Sequence, residues 1–337
     1  MPARSDLQRR LIVTVGVFGA LLAASLILAP LVGTAHVNLA RALDRSMPFA
    51  DNLDAQIFFI ARLPRVVAAA LVGAALAESG VVFQALLRNP LASPDTLGVS
   101  AGAVLGAMIA IVLLPDIGIL GLSSVPVAAF TGSLGSLAIV YGLSAARRRG
   151  TSTMVLLLAG VTLATLLGAL TTFVQFLADF TATFQSVRWT MGSLDVAGFR
   201  PIVAALVPWS IAFAGFATLP RALDLVSLGT EAAESRGVNV VRAERVALVS
   251  ASLATGAAVS LAGGVAFVGI IVPHLVRLVV GADHRLVMPA SALFGAAFLI
   301  ACDLVARTVL APVELPVGIV TAIVGGPVFL WLLFRRA

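Results

Sequence analysis

Apolar runs about 20 residues long recur along this chain almost end to end, and they limit its fold more than any motif does. An α-helix needs a run of that length to cross the ~30 Å hydrocarbon core of a bilayer. Only helices and closed barrels satisfy their backbone there. The runs fall at about 11–32, 64–86, 97–114, 121–144, 152–177, 201–219 and 246–262, with a short piece at 270–280, then at 286–309 and 317–334. The chain therefore reads as an all-α polytopic membrane protein of about ten transmembrane helices. Composition agrees, since 60% of the 337 residues are hydrophobic and 11% are charged, against roughly 25% charged in soluble domains. Residues 11–29, behind Arg9 and Arg10, outrun the ~7–15-residue core of a secretory signal and read as a retained first helix.

Alternating the spans from a cytoplasmic N-terminus leaves seven arginines outside: Arg41, Arg45, Arg62, Arg65, Arg188, Arg200 and Arg307. The other 15 of 22 lie inside, as the positive-inside rule asks. Both termini are then cytoplasmic, which requires 270–280 to count as a span. Membrane topology thus accounts for the net charge of +6, and no nucleic-acid partner is implied. A single cysteine, Cys302, offers no disulfide or cysteine metal site within one chain. His36, His274 and His284 lack ligand spacing. No phosphate loop, paired carboxylates at helical spacing or His-Glu metal motif occurs, so no catalytic residue, bound metal or cofactor is assigned to this chain.

The longest hydrophilic interruption is 225–245, LVSLGTEAAESRGVNVVRAER. It has the signals of a short helix: Thr230 to cap its start, Glu231 and Glu234 near its positive end, Arg236 in its last turn and Gly237 for a left-handed stop. A compact capped helix between spans reads as a docking knob for a soluble partner; a solvated connector is the plain alternative.

Polar groups inside spans are the other signal. Thr162, Thr165, Gly168, Thr172 and Gln175 fall within an arc of about 140° on one helix face, as either packing glue or a pore lining. Glu78 lies deep in the second span, where a carboxylate costs about 2.5–3.5 kcal/mol on insertion scales. A contact with a neighbouring helix and a proton or cation path are its two readings. Asp303 and Arg307 are four apart and can pair along one helix face. Gly263-Gly264 and Pro273 suggest short, broken helices in a packed many-helix core.

Several motifs run in order along the chain: RLPR (62–65), GAALAESGVVFQALLRNPLASPDTLGVSAGA (73–103), LLLAG (156–160), GGVAFVGIIVPHLVRLVVGADHR (263–285), DLVAR (303–307) and ELPVGIVTAIVGGPVFLWLL (314–333). Together they resemble the FecCD-type permease subunits of ABC importers for iron-siderophores, haem and cobalamin, over nearly the whole chain after residue 57. The resemblance implies a type II ABC importer permease fold, a single transmembrane permease domain over 1–337 with a cytoplasmic coupling loop at about 225–245. It implies a homodimer in the bacterial cytoplasmic (inner) membrane, surrounded by membrane lipid. Two cytoplasmic ATPase subunits would carry ATP and Mg, and a periplasmic or lipid-anchored binding protein would deliver substrate, a ferric siderophore first and cobalamin or haem otherwise.

Carried over by residue, the resemblance makes Leu228, Gly229, Glu231, Ala233, Glu234, Arg236 and Gly237 the ATPase-coupling element, with Arg236 standing where the family has Leu. It makes the span-5 stripe pore lining and puts the cytoplasmic gate at Thr151, Ser152 and Thr153. Arg62, Arg65 and Arg307 match positions that receive acidic side chains of the binding protein, where the guanidinium fork suits a carboxylate. The rival of a different class is a secondary transporter driven by an ion gradient through Glu78, which would not need the knob. A membrane-embedded enzyme lacks its catalytic groups.

Overall fold

In the computed structural model, residues 4–114, 118–119, 122–145 and 153–334 are described. The helices that build the bundle and its ends are α1 (Arg4–Leu28), α2 (Leu63–Leu86), α3 (Val99–Leu113), α4 (Ser124–Ala145), α5 (Thr153–Phe176) and α6 (Phe180–Thr190). They continue with α7 (Arg200–Thr218), α8 (Pro220–Ser227), α9 (Thr230–Glu234), α10 (Val240–Ala262), α11 (Val268–Val280), α12 (His284–Thr308) and α13 (Val317–Phe334). Among the described residues, seven helices are long and apolar enough to cross a membrane, and α3, α11 and α13 are shorter apolar ones. Among the described residues the regular structure is helical but for a two-residue ladder between Gly118–Ile119 and Leu122–Ser123.

Local chemistry sets the helix starts. Proline occupies the first turn of α7 and α8, where the missing N–H is not needed. Asp179, Asn239 and Asp283 cap α6, α10 and α12 with their side chains, each accepting an otherwise orphaned backbone N–H.

Helix α2 is the axle of the bundle, buried along most of its length. Its small residues allow backbone-to-backbone approach. A methyl group on Gly73 would overlap the Gly295 carbonyl of α12, and one on Gly80 the Gly269 carbonyl of α11. Polar side chains add cross-helix ties. The Ser79 hydroxyl donates to Ala251 O of α10 at 3.1 Å, and the Trp209 indole of α7 donates to Ala254 O at 3.3 Å.

Helix α1 leans on the outside of α12, with Phe18 and Phe294 edge to face at 5.7 Å. The Arg10 guanidinium on α1 donates to Val280 O at the end of α11, so the start of α1 lies at the same end of the bundle as the α11–α12 connection. Helix α11 runs back between two helices that both start at that end, and so supplies the reversal expected of 270–280.

Three local expectations are corrected. The chain breaks after α10 at 263–267, where Gly263 has φ 66° and Phe267 φ 67°, but Pro273 lies inside an unbroken α11. Proline has no N–H for the carbonyl four residues back. The Gln84 amide of α2 fills that vacancy, donating to Gly269 O at 3.2 Å. The second span also begins well before residue 64, through Leu53–Gln56 and a π-helical turn at Ile57–Arg62. Finally, α6 follows α5 as a separate helix that hydropathy alone does not reveal.

Candidate functional site

The hydrophilic stretch 225–245 runs from the end of α8 through α9 into the first turns of α10, and the short helices α8 and α9 stand at one end of the bundle. Helix α9 closes with Gly237 at φ 78°. Gly237 N donates to Glu234 O at 2.9 Å and Val238 N to Ala233 O at 3.1 Å, the paired bonds of a Schellman stop. Ala233 is fully buried against Val226 and Val240, so Ala233 is the floor of the knob. Thr230 is not the cap: Gly229, at φ 127°, occupies that position without a side-chain bond. The Thr230 hydroxyl instead accepts from Arg88, which outcompetes a local cap. Leu228, Glu231, Glu234 and Arg236 are exposed on the outer surface of the knob.

Two ties fix the knob to the core. At the end of α2, the Arg88 Nε donates to Val226 O at 3.2 Å and Nη2 to Thr230 Oγ1 at 3.0 Å. Asp224 of α8 accepts from the His284 backbone N–H at 2.9 Å and meets its ring Nδ1 at 2.6 Å, which joins the knob to the start of α12. Next to it, Arg285 donates to Asp283 and holds that carboxyl below the usual carboxylate range. Neither Arg88 nor Asp224 was singled out from the sequence, because each forms its contact across more than 55 residues of chain.

The far end of α2 carries the arginines of the RLPR motif. Arg65 Nε donates to Asp303 at 2.9 Å and Nη1 donates to Glu314 at 2.7 Å. Arg307 Nη2 donates to Ala29 O at 2.6 Å, and its Nε lies 3.6 Å from Asp303 Oδ2. The expected Asp303–Arg307 pair is thus the weaker one, and Arg65 is the main partner of Asp303. Arg62 Nη1 donates to Pro30 O at 3.0 Å and Nη2 to Ala35 O. Arg62 and Arg307 are buried at 6% and 3% exposure, so both are turned inward here. The three arginines, with Asp195 and Glu314, line one cavity of about 180 Å³.

On α5, Thr162, Thr165, Gly168 and Thr172 are exposed and Gln175 is half-buried. The Thr165 and Thr172 hydroxyls donate back to Val161 O and Gly168 O, leaving a polar, self-satisfied strip. Around it stand Phe173, Phe176 and, on α6, Phe180, all more than half exposed. Thr151 and Ser152 lie outside the described residues, and Thr153 opens α5. Glu78 is buried on α2, and its Oε2 meets no hydrogen-bond donor among the described residues. Among the described residues, no three His, Cys, Asp or Glu side chains are grouped to hold a metal.

Comparison with known proteins adds the wider context. The model of the FecCD transport family matches residues 21–335. The chain is 46% identical over 275 residues to a cobalamin import system permease protein of Halobacterium salinarum, covering 82% of this chain and 72% of that one. It is 40% identical over 327 residues to a hemin transport system permease protein of Yersinia pestis, covering 94% and 95%. A solved metal-chelate type ABC transporter in an inward-facing conformation superposes with a TM-score of 0.81 at 31% identity, over 96% of this chain and 99% of that one.

Proposed function

The chain belongs to the FecCD transport family of ABC importer permeases, and we propose that it forms the membrane path by which a metal chelate enters a bacterial cell. The observation that carries this reading is the knob of α8 and α9, with Leu228, Glu231, Glu234 and Arg236 outward and ties to both α2 and α12. A path driven by an ion gradient has no use for such an element. In this reading the knob faces the cytoplasm and seats on an ATPase subunit, and ATP hydrolysis belongs to that subunit. Both termini are cytoplasmic, and the membrane is the inner one.

Two copies of the chain would meet across α5 and α6. A threonine and glycine strip is poorly suited to lipid, whereas flanking phenylalanines suit a helix interface; a path between two copies satisfies both. At the opposite end, Arg65 is the side chain best placed to receive a carboxylate of a substrate-binding protein, because its present partner Glu314 is 45% exposed. Docking through Arg62 or Arg307 would need each to leave the carbonyls that hold it.

An iron chelate is taken as the first candidate cargo, with haem and cobalamin beside it because relatives carry those names. The test is ATPase stimulation in the reconstituted complex with its binding protein, against a ferric siderophore, haem and cobalamin. One of the three should raise turnover several-fold above the unloaded binding protein. No stimulation by any of them would overturn the metal-chelate assignment.

A further inference from the structure

A second cavity, of about 370 Å³, opens between the first turns of α1 and the end of α11. Asp6, Arg9 and Arg10 supply the charged part of its lining. Its floor is apolar, formed by Val13, Val17, Phe18 and Val279. We propose that this cavity binds an anionic phospholipid, with the phosphate held by Arg9 and Arg10 and an acyl chain laid along α1.

Depth is the first argument. Residues 11–29 rise about 28 Å at 1.5 Å per residue, close to the ~30 Å hydrocarbon thickness. Arg9 and Arg10 therefore sit at headgroup level, where guanidinium groups are favourable and can take a phosphate with two parallel bonds. Charge is the second. Among the described residues no ion pair engages Arg9, Arg10 or Asp6, so two cations face one carboxylate and the cavity keeps a positive balance. Arg10 is steered by its bond to Val280 O at 2.9 Å, which leaves other guanidinium donors for a ligand.

The floor decides between lipid and soluble anion. Val17 and Val279 are 62% and 75% exposed, and this apolar surface continues along the outer side of α1. A free phosphate gains nothing from such a floor, whereas an acyl chain buries it at roughly 25 cal/mol per Å². Basic pockets between transmembrane helices are suited to anionic headgroups for the same reasons. The cavity also adjoins the connection that leads through Asp283 to His284 and the knob. A bound lipid would brace α1 against that connection. The inference needs only a membrane-embedded chain, so it stands or falls apart from cargo and ATPase.

The full-length purified chain, stripped of lipid in detergent, should be titrated with phosphatidylglycerol or phosphatidylcholine of equal chain length and followed by native mass spectrometry. Phosphatidylglycerol should be retained roughly tenfold more tightly. Arg9→Gln with Arg10→Gln should abolish the preference, and Arg9→Gln alone should halve it or more if the double variant does not fold. Val17→Trp, which fills the floor without touching charge, should weaken retention of phosphatidylglycerol by a similar factor. Equal retention of the two lipids overturns the proposal, as does a loss in only one class of variant. Displacement of the lipid by millimolar glycerol phosphate would also overturn it, since the site would then read headgroups alone.

Discussion

Arg88 sits at φ 46°, a backbone conformation that a residue with a Cβ adopts only when something holds it. The holding bonds run to Val226 and Thr230 in the knob. Replacing Arg88 with Ala should loosen the knob and lower substrate-stimulated ATPase turnover several-fold with the membrane-inserted yield unchanged; Arg88→Gly, which relieves the backbone, should lower it equally. Turnover preserved in Arg88→Gly would mean that backbone shape, not the tether, matters. Glu78 makes the opposite case, a buried acid whose Oε2 has no donor among the described residues. Glu78→Met should raise the thermal midpoint, by about 1–3 kcal/mol of stability, and Glu78→Gln should leave uptake near normal. Uptake lost in Glu78→Gln, with protein still in the membrane, would favour an ion path. Residue roles were the least legible part of the sequence. Thr230 has the right type for a cap, but a partner 142 residues away claims its hydroxyl. Arg62 and Arg307 read as surface charges because the carbonyls of residues 29–35 that bury them leave no trace in composition.

At the scale of elements, the apolar helices among the described residues were legible because each needs only a length and a hydropathy, both local properties. The Gly237 stop was legible too, since a left-handed φ favours Gly at any helix end. Helix α6 was not, because its 11 residues carry Arg188 among phenylalanines and threonines, and no membrane-length run marks them. Pro273 misled for a related reason: its missing bond is repaired by Gln84, a residue of another helix. Gly80→Leu should abolish folding, measured as loss of the monodisperse peak in detergent, because the Gly269 backbone already occupies that space. Gly237→Pro cannot adopt φ 78°, so the ATPase recovered by pull-down should fall sharply while the permease still inserts. Undiminished ATPase recovery would remove the knob from the docking role.

For the whole molecule, α2 joins the two ends. Arg65 lies near its start and Arg88 just past its end, about 35 Å apart at helical rise. Helix α12 is tied to α2 at one end through Arg65–Asp303, and to the knob at the other through His284–Asp224. A load applied at one end is therefore passed to the other by a two-helix frame. At the end proposed to receive the binding protein, Glu314 would compete with it for Arg65. Glu314→Gln should speed docking of the binding protein, and the gain should shrink with salt, since a partly exposed pair is worth only ~0.2–1 kcal/mol. The most direct measurement is uptake of radiolabelled metal chelate into liposomes holding the permease, its ATPase and external binding protein. Uptake should require internal ATP together with all three components, and should persist when proton and sodium gradients are collapsed. Uptake by the permease alone, driven by an imposed ion gradient without ATP, would contradict the importer assignment outright.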